Sequence, residues 1–244
     1  MKKSLEKLIL EGRCQGYGPD YVPLYKVNEL RSKGTATRIY DPFEGREIQL
    51  LSSVETKNYL TVRGDPKVKH IREQFLLDEN LIQAKKEELG IKDSGRHYST
   101  DLLVDYIDGS QCAYSVKWRS DMLNPNSERY KYRPGAYVTL VDRMGLEISY
   151  WNSFGTEVRI VTDDSLNRTF ATNIWTLLHV WEETPDPTID VKTMYLVAHG
   201  CIRVDLHSQY LAPKKIRESV TCDINTLYDD CIHNEERRNT WLWS

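Results

Sequence analysis

The stretch S-T-D-L-L-V-D-Y-I-D-G-S-Q-C-A-Y-S-V-K, Ser99 to Lys117, reads as two neighbouring strands joined by a turn. Thr100 to Ile107 mixes β-branched, aromatic and leucine residues, Asp108-Gly109 is a hairpin-turn signal, and Cys112 to Trp118 alternates again. Residues two and four apart on a strand share a face, so Asp101 and Asp105 point one way, and Ser115 and Lys117 share a face of the next strand. A carboxylate, a hydroxyl and an ammonium are thereby placed at one edge of a sheet. An Asp opening one strand and a polar-x-Lys in the next is the P-D…(D/E)-x-K pattern of metal-dependent nucleases, in which the Asp holds a hard cation and the Lys faces the attacking water or the scissile phosphate. The same spacing also suits a hairpin whose Asp and Lys are simply solvated.

The flanking sequence supplies the rest of a sheet. Arg38 to Leu51 predicts a hairpin around Pro42 and Gly45. Ser52 opens a helix to about Arg63, and Ser52-x-x-Glu55 is a capping box, which leaves Glu55 with a capping and a catalytic reading. Lys67 to Phe75 reads as a strand and Asp78 to Leu89 as a helix closed by Gly90. After Arg133-Pro134-Gly135 a helix runs to about Phe154 with Leu140, Met144, Ile148 and Trp151 as its apolar face, then a strand from Glu157 to Thr162. Helix, three strands, helix and strand, with one inserted helix, is the core order of the restriction-endonuclease-like α/β fold. On it Glu55, Asp101 and Lys117 can meet at one sheet edge.

At 244 residues, two domains are expected, with a boundary at 165/166. Five scattered cysteines, no membrane-length apolar run and no signal-peptide pattern after Met1-Lys2-Lys3 predict a soluble, cytoplasmic protein with reduced thiols. The cysteines and histidines lack the paired spacing of a zinc site. The net charge of −3 does not advertise a nucleic-acid partner, yet its distribution is uneven. The first 75 residues hold 14 Lys and Arg against 10 Asp and Glu, and Lys117, Arg119, Arg129, Lys131 and Arg133 cluster, interleaved with Trp118, Tyr130 and Tyr132. Asp163 to Asp190 carries six acids against Arg168. The basic half can take a phosphate backbone, with the Gly-rich stretch Gly12 to Pro23 and its Arg13 as a second approach. That stretch is no P-loop, and it also reads as a plain irregular arm.

Beyond the nuclease residues, the chain carries G-R-C-Q-G-Y-G-P-D-Y-V-P at 12–23, T-R-I-Y at 37–40, L-L-S-S-V-E at 50–55, I-R-E-Q-F at 71–75, S-T-D-L-L-V-D at 99–105, Tyr150-Trp151, V-R-I-V-T-D ending at Asp163 and T-M-Y-L-V-A-H-G-C-I-R-V-D-L at 193–206. Together they resemble TnsA, the endonuclease subunit family of heteromeric Tn-seven-like transposases. The resemblance implies Glu55 and Asp101 as metal-binding carboxylates, the Val116 carbonyl as a third ligand, Lys117 as the catalytic lysine, and Mg²⁺, or Mn²⁺ in its place, as cofactor. Ser115 departs from the pattern, since the family position usually carries Gln and related nucleases carry Glu or Asp. It also implies cleavage at the 5′ ends of a transposon in bacterial DNA, beside a D-D-E transposase, TnsB, that processes the 3′ ends, and an AAA+ ATPase regulator, TnsC. A non-catalytic DNA-binding adaptor of the same fold, and a stand-alone restriction or repair nuclease, are the alternatives.

For the second domain, residues 166–244, the sequence predicts a helix capped by Asn167 and running through Val180, a Thr184-Pro185-Asp186-Pro187 linker, a helix ending at Gly200, a strand at 201–206, and helices near 213–219 and 223–232. By analogy with the family this is a winged-helix-like, partner-binding unit, with Trp241-Leu242-Trp243 as a docking element.

Overall fold

Alternating apolar residues in the central hairpin build a sheet that is buried on both sides. The computed structural model describes residues 5–29, 35–92, 97–123 and 136–234. Strand β1 (Thr37–Asp41) pairs antiparallel with β2 (Arg46–Leu50). Helix α2 (Ser53–Arg63) follows; α1 (Leu5–Leu10) precedes them. The main sheet has the order β3 (Val68–Leu76), β4 (Ser99–Tyr106), β5 (Gln111–Lys117), β6 (Glu157–Thr162), antiparallel except for the parallel β5/β6 pair. Helix α3 (Glu79–Leu89) joins β3 to β4, and α4 (Arg119–Leu123) and α5 (Ala136–Asn152) lie between β5 and β6. The parallel pair requires such a crossover, because antiparallel strands alone can be joined by a tight turn.

Leu102, Val104, Cys112 and Tyr114 face one core with Ile71, Ile39, Ile48, Tyr59 and Leu60. Leu103 and Ala113, one residue out of phase, face a second core with Ile82, Leu146, Tyr150 and Trp151. The period of two thus sends successive residues to opposite layers. The buried face of α5 carries Leu146, Glu147, Tyr150 and Trp151, and Met144 and Ile148 sit at its margin, so the stripe is rotated from the one expected.

Among the described residues, four helices make up the C-terminal part: α6 (Arg168–His179), capped by the Asn167 side chain on Phe170 N; α7 (Ile189–Ala198); α8 (Pro213–Glu218); and α9 (Ile224–Ile232). Residues 201–206 are not a strand. Gly200 takes a φ of 67° and the next amides fold back, Cys201 N and Ile202 N both donating to Leu196 O (2.8 and 3.1 Å). Among the described residues this part holds no strand to serve as a wing, and Trp241 to Trp243 lie outside them. Its apolar residues Phe170, Ile174, Leu177 and Met194 join the same cluster as Tyr59 and Ile71, so the 165/166 boundary divides residues of one core. Closest is Gly64, where a Cβ would meet Phe170 at 2.5 Å and Ile174 at 3.0 Å.

Charge as well as apolar surface fixes α2. Arg63 is fully buried, its Nε 2.7 Å from Asp41 Oδ2 and its Nη2 2.7 Å from Glu44 Oε1. Tyr59 donates to Asp41, and Glu44 Oε1 also accepts from Ile71 N at 2.8 Å.

Candidate active site

The antiparallel ladder between β4 and β5 runs from Asp105↔Gln111 to Leu102↔Tyr114. Beyond that rung Asp101 takes over with its side chain, Oδ2 accepting from Val116 N at 2.6 Å. Across the other neighbour, Glu73↔Leu102 and Phe75↔Thr100 flank a missing rung where Gln74 has a φ of 50°, uncommon for a residue with a Cβ. The backbone of β3 is therefore irregular directly beside Asp101. Gln74 is held there by its side chain, which accepts from Tyr25 N (3.2 Å) and donates to Gln49 O (3.0 Å).

Lys117 reaches back over this end of the sheet. Its Nζ donates to Ser115 Oγ at 2.8 Å, Val116 O at 3.0 Å and Asp101 Oδ2 at 3.2 Å, which engages all three ammonium protons. The ammonium marks an oxygen-lined place for positive charge. Asp105 shares the strand face with Asp101 but not its site: Arg72 Nη2 donates to it at 3.0 and 3.1 Å.

Glu55 arrives from the first turn of α2. Ser52 Oγ accepts from Glu55 N (3.2 Å), while the carboxylate accepts from Ser52 Oγ (2.9 Å) and Leu51 N (3.0 Å). Capping geometry is thus present, shifted by one residue from the usual box. The carboxyl is also pushed up to about 7, first by burial and then by the Asp101 charge, with Lys117 pulling the other way. Two carboxylates repelling each other beside one ammonium is a site short of positive charge. The folded value lies above the unfolded one, so the associated stability is full below the unfolded carboxylate value and is lost as pH rises through about 7. Glu55→Gln should therefore stabilise the cation-free protein at pH 8, by on the order of 1–3 kcal/mol, and leave it unchanged at pH 4. Melting curves at the two pH values check this; a loss at pH 8 would mean that the cap outweighs the repulsion.

One site residue is absent from the sequence expectations. Glu147 on α5 is buried and accepts from Thr100 Oγ1 and Ser115 Oγ, both at 2.7 Å. Trp151 Nε1 donates to Thr100 Oγ1 at 2.7 Å. Burial first, and then the Asp101 charge, raise the pKa of Glu147. Ser115 thus accepts from Lys117 and donates to Glu147, and the acid that the strand lacks at position 115 stands one layer below, on the helix. The available signal was an acid three residues after Met144 and four before Trp151, on the apolar face. Glu147→Ala leaves two buried hydroxyl protons without their acceptor and should cost about 2–4 kcal/mol, at about one to two for each, measurable by urea unfolding.

The expected DNA-facing cations divide. Arg13 is not presented to solvent: its guanidinium is buried against both Glu29 oxygens at 2.6 Å and Leu24 O at 3.0 Å. The glycines explain why, since the arm turns back on itself, Cys14 N donating to Val22 O at 2.6 Å, and carries Arg13 inward. Arg119 is exposed and ion-paired with Asp164, a solvent-screened contact that a phosphate can displace. Trp118 is exposed beside it. Arg129, Lys131 and Arg133 lie outside the described residues.

A mixed sheet flanked by helices, with Glu, Asp and Lys at one end, fits the class of α/β nuclease domains. Residues 65–163 match the family model described as TnsA-like endonuclease N terminal, a span that includes Asp101, Ser115, Val116, Lys117 and Glu147. The chain is 30% identical over 190 residues to the transposon Tn7 transposition protein TnsA of Escherichia coli, a match covering 73% of this chain and 63% of that protein's length. Residues 65–163 are thus TnsA-like in sequence, and the match to TnsA spans less than two thirds of that protein. Among the described residues no helix is long and apolar enough to cross a membrane.

Proposed function

We propose that this chain is a divalent-cation-dependent DNA endonuclease, the subunit of a Tn7-like transposase that hydrolyses the phosphodiester at the 5′ ends of the transposon. On this reading a D-D-E transposase of the TnsB kind processes the 3′ ends, and an AAA+ regulator of the TnsC kind acts with them. The observation that carries it is the convergence of Asp101 Oδ2, Ser115 Oγ and Val116 O on the Lys117 ammonium, beside Glu55, within a TnsA-like segment.

The donor set suits a hard cation: Glu55 and Asp101 offer carboxylate oxygens and Val116 a carbonyl. Among the described residues no three His, Cys, Asp or Glu side chains gather as ligands, so water must complete the shell, as is usual for Mg²⁺. Magnesium or manganese there supplies positive charge against the phosphoryl oxygen and lowers the pKa of the attacking water. The other groups orient and move protons. Two of the three oxygens holding Lys117 are those the cation needs, so Ser115 remains as the anchor of Nζ and the freed donors turn to the water. Glu147, beneath, keeps the Ser115 hydroxyl pointed as an acceptor toward Lys117. Arg119 and the exposed Trp118 supply backbone and stacking contacts at the rim.

Strand-specific cleavage of a labelled transposon-end duplex, with the partner transposase present and with Mg²⁺ or a chelator, tests the reading. Lys117→Ala should retain 3′-end cutting by the partner and lose 5′-strand cleavage by roughly 10²–10⁴-fold. A wild-type chain that never cuts the 5′ strand would make it an adaptor, and one that cuts any duplex without partners would make it a stand-alone nuclease.

A further inference from the structure

Cys201 and Cys231 take no part in the cleavage edge. Cys201 Sγ lies 2.9 Å from Cys231 Sγ, in direct contact though unbonded, where a disulfide would bring the sulfurs to ~2.05 Å. Both are set on fixed backbone. Cys201 follows the turn that closes α7, pinned by its own N–H on Leu196 O, and Cys231 lies on the inner face of α9 with Ile224 and Tyr228. Helices α7 and α9 pack against each other, with Tyr195 and Tyr228 edge to face at 5.1 Å between ring centroids. Cys231 is buried and Cys201 half-buried, so an oxidant reaches one sulfur and finds the second behind it. The remaining thiols are placed differently. Burial pushes Cys112 up to about 11 and raises Cys14, which disfavours their thiolates, and Cys222 is exposed.

We propose that Cys201 and Cys231 are a redox-reactive dithiol that a peroxide converts to an intramolecular disulfide, tying α9 to the end of α7. The Cys201 thiolate attacks one peroxide oxygen; the O–O bond breaks, the departing hydroxide takes a proton to become water, and Cys201 is left as a sulfenic acid. The Cys231 sulfur then attacks the Cys201 sulfur, the S–O bond breaks, and a second water leaves with the Cys231 proton. Two electrons pass from the sulfurs to the peroxide, and the chain loses two hydrogens. The bond closes a loop over residues 201–231 that contains α8, so the oxidised chain cannot release α9 without moving α7. In a reducing compartment such a pair is transient and responsive rather than permanent.

The test uses the full chain treated with hydrogen peroxide, blocked with an alkylating reagent, and digested without reduction for mass spectrometry. The expected product is a peptide pair joined through Cys201 and Cys231 and lighter by two hydrogens, with Cys112 still a thiol. The melting temperature should rise by about 10 °C, as expected for a loop of this length, and fall back with dithiothreitol. Peroxide should not raise the melting temperature of Cys201→Ser. Should that variant fold poorly, the wild-type peptide map decides alone. Over-oxidised Cys201 beside an intact Cys231 thiol, a linkage through Cys222, or a crosslink that leaves the melting temperature unchanged would each overturn the proposal. Mass and melting are independent of DNA cleavage, so failure here would leave the nuclease reading untouched.

Discussion

Asp101→Ala is expected to reduce 5′-strand cleavage to background, and added magnesium should not restore it. One carboxylate accepts from Val116 N where the strand ladder ends and holds Lys117, and on the proposed reading it also supplies negative charge for a cation. Removing it frees the β5 backbone and the lysine together, so the loss should exceed that of Lys117→Ala. Asp101→Asn separates the tasks, since an amide oxygen can still accept from Val116 N but brings no charge. Cleavage by the asparagine variant should also be lost, whereas its unfolding curve should lie closer to wild type than that of the alanine variant. Partner-driven 3′-end joining should survive in both, shifting products from simple insertions to joined donor-target molecules. Wild-type rates with Asp101→Ala would show that the cleavage site lies elsewhere.

For stability, the largest single effect is expected at Arg63. Its guanidinium is fully buried between Asp41 and Glu44, which are themselves fully buried. Arg63→Ala leaves two carboxylates without their cation in the core, a change that costs about 3–5 kcal/mol, against a total stability of about 5–15 kcal/mol for a typical protein. Denaturant unfolding should show a large fall in midpoint. Adding Asp41→Asn and Glu44→Gln to the variant should recover part of it, because neutral amides tolerate burial better than unpaired charge. A wild-type midpoint for Arg63→Ala would mean that the network contributes nothing net.

Local rules made much of the architecture legible. Asp108-Gly109, the Asn167 and Asp78 caps and the Gly90 stop each act within a few residues, and the strands and helices they delimit stand where expected. Period-two reading also placed Ser115 and Lys117 on one face of their strand, and in the structure Lys117 reaches both Ser115 and Asp101. What escaped depends on distant partners. The fate of Arg13 is set by Glu29 and by an arm that curls inward, and an exposed-looking Gly-rich stretch does not announce that. Residues 201–206 look like a strand by composition, but among the described residues no strand pairs with them, and the turn at Gly200 uses the Cys201 and Ile202 amides instead. Glu147 was hidden because an acid on a helix is ordinarily solvated; only the packing of α5 beneath β4 and β5 brings it to Thr100 and Ser115. Ser115 itself then becomes intelligible as a bridge rather than a lost ligand.

Gly64 closes the helix that begins beside Glu55, and the absent side chain there is what lets Phe170 and Ile174 settle against it. The two ends are about 16 Å apart along a stiff rod. One tip belongs to the proposed cleavage edge, the other is the seat of the C-terminal helices. On the proposed reading, a molecule that favours a seating of that rod with higher cation affinity strengthens cation binding at its far tip. By reciprocity such a cation would alter that molecule's affinity by the same factor, so on that reading the grip on the C-terminal helices and the loading of the edge form a single thermodynamic cycle.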